Sequence, residues 1–219
     1  MCTIPAFDDD RSLATERYSG TPLGLSTVLP AITRLHRLYQ GMALQIVFET
    51  HSTTEDNEAG IATGWLPGRL SETGIQNALG LGRRRRNDRL AAVFVSDLAR
   101  AVETVEVAFS GTDIPVLKDW RLRECDYGSM NGSPAREVHG RRQQFLDESY
   151  PGGESWRQAT DRVGRFLQDL PLRWNDLRIL VVGHVATQWG LERFTRGSTL
   201  EELVVAEFDW QEGWDYRLD

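Results

Sequence analysis

The feature that most constrains this chain is an apolar run that stops at a histidine, and the chain contains two such runs. The first covers residues 45–50 and stops at His51, and the second covers residues 179–183 and stops at His184. Short apolar runs bounded by turn residues are typical of buried strands. In open α/β sheets, ligand-binding residues lie just beyond the carboxyl ends of parallel strands. We therefore interpret His51 and His184 as functional residues at one sheet edge.

The rest of the chain alternates strand-like and helix-like segments, which indicates an α/β fold. We predict a three-layer α/β sandwich with a mainly parallel central sheet, in which the strands that end before His51 and His184 are neighbours. The other two histidines, His36 and His139, do not follow buried runs. We interpret them as ordinary core or surface residues.

The length of 219 residues suits one large α/β domain with an extension. The first 28 residues are rich in Asp, Ser, Thr, Gly and Pro, which indicates coil. A short helix is predicted next, ended by Gly41, on the helical spacing of Leu29, Ile32, Leu35 and Leu38. We predict that residues 1–41 are an N-terminal extension and residues 42–219 the catalytic domain. A start codon assigned upstream of Met42 explains the extension equally well.

The net charge and the amino-acid composition limit the kinds of molecule that this chain can bind. The chain has 25 basic and 32 acidic residues and a formal charge of −7, so it offers no global attraction for nucleic acid or for an anionic membrane. Cys2 and Cys125 are too few for a disulfide framework or a zinc cluster, which favours a reducing compartment. The chain also has no apolar stretch of about 18 residues and no basic, signal-like start. We expect a cytoplasmic protein that acts on a small molecule, and a homodimer stays open.

Other elements are predicted from local signals. Ser96 and Asp97 are expected to cap a helix that carries Arg100 in its first turn. Ser155 with Gln158 has the capping-box pattern. Further strands are predicted at residues 91–95, 114–117, 203–208 and 214–218, and further helices at 71–86, 134–147 and 187–194.

The residue types expected at the sheet edge suit one kind of chemistry. Two histidines, an arginine and a glutamate are the groups needed for phosphoryl transfer through a covalent phosphohistidine. A neutral imidazole attacks phosphorus, a cation stabilises the equatorial oxygens and a carboxylic acid protonates the departing oxygen. This chemistry needs no metal and no cofactor, and we expect neither.

The order of these residues resembles the histidine phosphatase superfamily, also called phosphoglycerate mutase-like, from about Leu44 to Phe208. That family opens with a strand followed by Arg-His-Gly and then a Thr and an Asn at fixed offsets. This chain has Thr50-His51-Ser52, with Thr54 and Asn57 in register. Further family-like elements follow in the expected order, at Leu70-Ser71-Glu72-Thr73-Gly74, Ser96 to Thr104, Arg123 to Gly128, Gly153-Glu154-Ser155 and Val182-Gly183-His184.

The resemblance implies a role for each matching residue. It makes His51 the nucleophile, Arg100 a phosphate-binding cation, Glu124 the proton donor and His184 the second histidine of the pocket. It also implies that the substrate is held by residues of the opening signature, namely Thr50, Ser52, Thr54 and Asn57. The implied fold is phosphoglycerate mutase-like, and the implied activity is hydrolysis of a small phosphate monoester.

The chain departs from the family pattern at the opening signature. Thr50 stands where the family has a phosphate-binding arginine, and Glu49 stands where an apolar residue is usual. Loss of one preorganised donor costs about 3 to 4 kcal/mol of transition-state stabilisation. In a phosphatase, Thr50 would be either tolerated or compensated by another cation such as Arg121 or Arg123. Glu49 would repel a phosphate if its carboxylate faced the pocket, although strand alternation favours the opposite face.

Three hypotheses remain open from the sequence. The first is a phosphatase of a small organic phosphate. The second is an enzyme that keeps the pocket but acts on a non-phosphate substrate, and the third is a non-catalytic relative that binds a ligand or partner. A decayed site has no reason to keep His51, Arg100, Glu124 and His184 together, which argues against the third. The first ranks modestly above the second.

Overall fold

The computed structural model describes residues 43–206 and 209–219. Seven strands lie in this part of the chain, at β1 Leu44–Thr50, β2 Ile61–Ala62, β3 Ala92–Val95, β4 Val116–Lys118, β5 Ser133–Pro134, β6 Arg178–Gly183 and β7 Trp214–Leu218. The α-helices described are α1 Glu55–Glu58, α2 Glu72–Arg85, α3 Ala99–Ala108, α4 Ala135–Gly140, α5 Trp156–Asp169, α6 Pro171–Trp174, α7 Val185–Leu191 and α8 Leu200–Val205.

The main sheet has five strands in the order β4-β3-β6-β1-β7. The first four are parallel to one another, and β7 runs antiparallel to β1 at one edge. Thr50 pairs with Gly183 at the carboxyl ends of β1 and β6. The next residue of each strand is His51 or His184, so the two histidines leave the sheet side by side. The predicted mainly parallel sheet and the predicted neighbouring strands are therefore confirmed.

The central strands β1, β3 and β6 are buried on both faces, which explains their nearly continuous apolar sequences. Ile46 and Phe48 of β1 belong to a core cluster that includes Phe166 of α5. Val47, the residue between them, belongs to a second cluster that includes Val105 of α3. Alternate side chains along one strand thus contact helices on opposite sides, and the architecture is the predicted three-layer sandwich.

The structure corrects three predicted elements. Residues 203–205, predicted as part of a strand, lie in helix α8, because Thr199 and Glu202 form a capping box just before them. The predicted helix 134–147 ends at Gly140 and gives way to a 3₁₀ turn at Arg142–Phe145. The predicted helix 187–194 begins earlier, as α7, and passes into a π turn at Glu192–Arg196.

Some predictions fall outside the described residues. The short helix before Gly41, His36 and Cys2 all lie in residues 1–42, as does the extension itself. The division into an extension and a catalytic domain therefore stays a prediction. Among the described residues, no helix combines the length and the apolar character needed to cross a membrane.

Helices α2 and α3 approach closely at one glycine, and this contact generates a stability prediction. A Cβ at Gly82 would lie 2.2 Å from the backbone oxygen of Ala108, whereas a Cβ at Gly80 would meet only flexible arginine ends at 3.5 Å or beyond. We expect Gly82→Ala to lower the free energy of unfolding by about 1 to 3 kcal/mol, because the helices must separate. Gly80→Ala should raise it by about 0.5 to 1 kcal/mol, because alanine favours the helix. Urea unfolding of both variants tests this, and equal effects would contradict the packing.

Candidate active site

Strands β1 and β6 bring the two predicted site histidines into contact. The ring centroids of His51 and His184 lie 4.9 Å apart. The backbone N–H of His51 donates to the Gly183 oxygen at 2.9 Å, which continues the strand ladder to the site itself. The position of both rings is therefore fixed by sheet pairing.

One guanidinium bridges the two histidines. Arg100, in the first turn of α3, is only 3% exposed. Its Nε donates to His51 Nε2 at 3.2 Å, and its Nη2 donates to His184 Nδ1 at 3.3 Å and to the Gly64 oxygen at 3.0 Å. Its Nη1 is buried and has no hydrogen-bond partner in the described part of the chain.

The partners of each ring select its tautomer. His51 Nδ1 lies 2.7 Å from the Ser52 carbonyl oxygen, so Nδ1 carries the proton and Nε2 keeps a lone pair. His184 accepts at Nδ1, so its Nε2–H donates to Ser96 Oγ at 2.9 Å. The structure corrects the predicted helix cap here. Leu98 takes the N-cap position without a side-chain bond, and Ser96 orients His184 instead.

Both imidazoles are held neutral. Burial, followed by the charge of Arg100, lowers the pKa of His51 from 6.5 to about 3, although the Ser52 carbonyl opposes the shift. The same two causes, in the same order, lower the pKa of His184 well below its usual value. A neutral ring with a lone pair on Nε2 is the form of histidine that acts as a nucleophile.

Glu124 is buried beside the histidines and fixed by backbone amides. Its Oε1 accepts from the N–H of Cys125 at 2.9 Å and from that of Ala186, in the first turn of α7, at 3.1 Å. Its Oε2 has no hydrogen bond to any residue in segments 43–206 and 209–219. One carboxylate oxygen thus anchors the side chain and the other remains available.

A buried arginine holds the loop that carries Glu124. Arg162 of α5 donates to the backbone oxygens of Arg121, Arg123 and Glu124 at 2.7 to 2.9 Å. It also pairs with the carboxylate of Glu154 at 2.8 Å. The family-like element around Glu154 therefore stabilises the Glu124 loop through Arg162. Sequence reasoning missed Arg162, because a single charge on a helix face is usually solvated.

A cavity of about 350 Å³ opens over these groups. Six of the predicted site residues line it, namely Thr50, His51, Asn57, Arg100, Glu124 and His184. Ser52 and Thr54 do not. Thr54 caps α1, where its Oγ1 accepts from the Asn57 N–H at 3.0 Å, and the Ser52 N–H donates to Thr104 Oγ1 at 3.0 Å. In the structure these two residues hold the backbone beside the cavity.

The cations proposed to compensate for Thr50 do not line the cavity. Arg121 pairs with Asp119 and Asp169, and Arg123 pairs with Asp97. The charges of both are therefore already paired, so neither is the compensating cation that one of the two alternatives required.

Two residues that the sequence did not single out line the cavity instead. They are Arg142 and His139. The interpretation of His139 as an ordinary core or surface residue does not predict this position. The guanidinium of Arg142 lies 5.1 Å from the Trp156 ring and 5.7 Å from the Trp189 ring, so aromatic faces position it. Its Nε is buried without a partner in the described residues. Both residues come from a segment with no recognisable motif, so spacing gave no signal.

Glu49 does not act on the cavity. Its carboxylate, 3% exposed, pairs with Arg84 Nη2 at 2.9 Å and with Arg85 Nε at 2.7 Å. Both arginines belong to the last turn of α2, and Glu49 is absent from the cavity lining. Because side chains alternate along β1, the Glu49 carboxylate points away from the cavity of His51, and the two arginines neutralise its charge.

Comparison with known proteins supports the family-level interpretation. The model of the histidine phosphatase superfamily (branch 1) matches residues 46–204. A 2,3-bisphosphoglycerate-dependent phosphoglycerate mutase of Streptococcus equi subsp. zooepidemicus is 35% identical over 123 residues, which is 54% of this chain and 51% of that protein. The chain therefore spans about half the length of the curated relatives it matches.

Solved structures share the fold. Bacillus stearothermophilus YhfR superposes with a TM-score of 0.69 at 24% identity, covering 78% of this chain and 90% of that one. A mycobacterial glucosyl-3-phosphoglycerate phosphatase superposes with a TM-score of 0.65 at 22% identity, covering 76% of this chain and 87% of that one. These likenesses confirm the predicted phosphoglycerate mutase-like fold.

The neutral state of His51 generates a pH prediction. Between pH 6.5 and about 3, the unfolded chain protonates this histidine and the folded chain does not. The free energy of unfolding should therefore fall as pH falls through this window, by up to about 1.4 kcal/mol per pH unit for one such residue. His51→Gln should flatten this dependence, which urea unfolding at pH 7 to 4 measures. Parallel curves for wild type and variant would contradict a neutral buried His51.

Proposed function

The chain belongs to the histidine phosphatase superfamily, and we propose that it hydrolyses a small organic phosphate monoester through a phosphohistidine on His51. One observation carries this proposal. Arg100 Nη1 and Arg142 Nε are buried donors without partners in the described part of the chain, and both residues line the cavity of His51. A buried donor left unpaired costs about 1 to 3 kcal/mol. An anion in the cavity would satisfy both once the two guanidinium groups rotate to expose these atoms to it.

In the proposed reaction, His51 acts as the nucleophile and Glu124 as the general acid and then the general base. The lone pair of His51 Nε2 attacks phosphorus, and the bond from phosphorus to the ester oxygen breaks. Glu124, as a carboxylic acid, gives its proton to the departing oxygen. Water then attacks the phosphohistidine while the Glu124 carboxylate takes a proton from it, and the bond from phosphorus to Nε2 breaks. Inorganic phosphate and the free His51 result.

Arg100 and Arg142 supply the positive charge that this reaction requires. Arg100 already contacts Nε2 of the nucleophile, so its N–H groups lie within reach of a phosphoryl group bound there. Arg142 provides a second guanidinium in a pocket where Thr50 offers only a hydroxyl. We assign to Arg142 the task that the family arginine performs from the position of Thr50.

The same observation ranks the alternatives. An uncharged substrate would leave the unpaired donors of Arg100 and Arg142 unsatisfied, which weighs against a site repurposed for non-phosphate chemistry. A purely ligand-binding relative has no need of a neutral nucleophile beside an anchored carboxylate. The phosphatase hypothesis accounts for all of these groups at once.

The first test is a panel of phosphate monoesters assayed for released phosphate. We expect activity in the wild type and none in His51→Ala. Arg142→Gln should lower kcat/KM by about two to three orders of magnitude, the cost of one lost transition-state donor. Arg141→Gln removes the same charge from the exposed neighbouring position, which does not line the cavity, and should have little effect. Equal losses in the two variants would contradict the assigned role of Arg142.

The second test restores the family arginine. Thr50→Arg should raise activity on simple phosphate esters by up to about two to three orders of magnitude. Glu49 is already paired with two arginines, so it does not need to be replaced at the same time. Thr50→Lys is the matched control, because an ammonium lacks the bidentate fork, and it should gain less. A wild type inert on every ester, with activity appearing only in Thr50→Arg, would overturn the proposal and favour a repurposed site.

A further inference from the structure

The segment that follows β2 contacts both the cation and the proton donor of the proposed reaction. The Gly64 oxygen accepts from Arg100 Nη2 at 3.0 Å, and Gly64 lines the cavity of His51. The next residue, Trp65, donates from its indole Nε1 to the backbone oxygen of Glu124 at 2.6 Å. Two consecutive residues therefore connect Arg100 to Glu124, although Trp65 itself does not line the cavity.

The backbone of this segment is fixed by a close approach at Gly64. Its φ is +56°, in the left-handed region, and a Cβ there would lie 1.7 Å from Asn131 Oδ1. The same oxygen accepts from the N–H of Tyr127 at 3.0 Å and from that of Trp65 at 3.4 Å. Asn131 thus joins the Gly64–Trp65 segment to the loop that follows Glu124, so the indole reaches Glu124 from a fixed backbone.

Arg123 covers the Trp65 ring. Its guanidinium lies 4.5 Å from the centre of the ring, which is a cation–π distance. Its Nε and Nη2 donate to the two carboxylate oxygens of Asp97 at 2.7 and 2.6 Å, and these bonds lower the pKa of Asp97. Asp97 lies between β3 and α3, the helix of Arg100. A series of contacts thus runs from the sheet edge through Asp97, Arg123 and Trp65 to Glu124.

The Glu124 carbonyl has two donors, and they connect it to different parts of the molecule. Arg162 Nη2 donates at 2.7 Å from α5, in the helix layer. Trp65 donates from the segment that also binds Arg100. The reaction needs the acid at the ester oxygen while Arg100 holds the phosphoryl group, so the separation of these two groups affects the rate. Of the two donors, the indole is the one that defines this separation.

We propose that Trp65 is a positioning residue that fixes where Glu124 protonates the leaving group. This inference rests on the proposed function, in which Glu124 gives its proton to the departing oxygen. The backbone N–H groups of Cys125 and Ala186 already bind Glu124 Oε1. The indole fixes the backbone of the same residue, so Oε2 keeps one position relative to Arg100.

The test compares two esters that differ in their need for a proton. A nitrophenolate leaves readily without one, whereas an alkoxide does not, and general acid catalysis contributes about 10²- to 10⁴-fold. The pair is 4-nitrophenyl phosphate and the best alkyl ester of the monoester panel. The measured quantity is kcat/KM, because it includes the loss of the leaving group and excludes the later hydrolysis of the phosphohistidine.

The first variant is Trp65→Phe, which keeps a ring against Arg123 and removes the indole N–H. We expect kcat/KM to fall about tenfold for the alkyl ester and less than about twofold for 4-nitrophenyl phosphate. Glu124→Gln should show the same selectivity with a larger loss. Trp120→Phe is the matched control, because it removes an indole N–H from a ring that is 50% exposed in the 3₁₀ turn before Glu124, and it should match the wild type.

Arg123→Gln uncovers the Trp65 ring and should cause a smaller loss with the same selectivity, which decides the matter if Trp65→Phe does not fold. Equal losses on the two esters, or none, would overturn the proposal, provided that Glu124→Gln is selective. The proposed function would then stand without a role for Trp65. A Glu124→Gln variant without selectivity would instead overturn the assignment of Glu124 as the acid, and the role of Trp65 with it.

Discussion

The parallel pairing of β1 with β6 is the contact on which the rest of the site depends. It fixes the register in which Thr50 faces Gly183, and the two histidines follow directly. Side chains alternate between the faces of a strand, so a slip of one residue would turn each histidine to the other face. The pairing lies at the centre of the sheet and is buried between two apolar layers. Core packing therefore also defines the geometry of the site.

Three arginines around the site differ in how their donors are used. Arg162 spends its donors on backbone oxygens and Glu154, which makes it a structural support for the Glu124 loop. Arg100 donates to the two histidines and to the Gly64 oxygen, which orders the site, and its Nη1 has no partner among the described residues. Arg142 rests on tryptophan rings and keeps its Nε unpaired. Arg162 thus differs from Arg100 and Arg142, each of which keeps one buried donor atom unpaired within the described residues.

The sequence predicted the features that local signals encode. Buried runs identified β1 and β6, and the Ser155 capping box identified the start of α5. His51, Arg100 and His184 could be placed because each follows a predicted strand, whereas Glu124 lies in an irregular segment and was assigned from the family resemblance. The position of Arg142 could not be predicted, because it depends on where a 3₁₀ turn packs against Trp156 and Trp189, which are distant in sequence.

The incorrect predictions also arise where contacts between distant parts of the chain decide the local structure. The apolar residues 203–205 have strand-like composition, but the capping box at Thr199 starts a helix that includes them. Serine is a common helix cap, but the hydroxyl of Ser96 forms a hydrogen bond with His184, which follows the neighbouring strand β6. In both places the sequence offers two local solutions. The neighbours that decide between them become visible only in the folded chain.

The hydrogen bonds that join the site residues span long stretches of chain. Arg100 reaches His51 across 49 positions and His184 across 84, and His184 reaches Ser96 across 88. A chain emerging from the ribosome carries His51 and Arg100 well before β6 exists. Until β6 docks between β1 and β3, neither the bridge nor the tautomer of His184 is set. The site therefore forms only after the chain has been synthesised past residue 183 and the strand that joins β1 to β3 is in place.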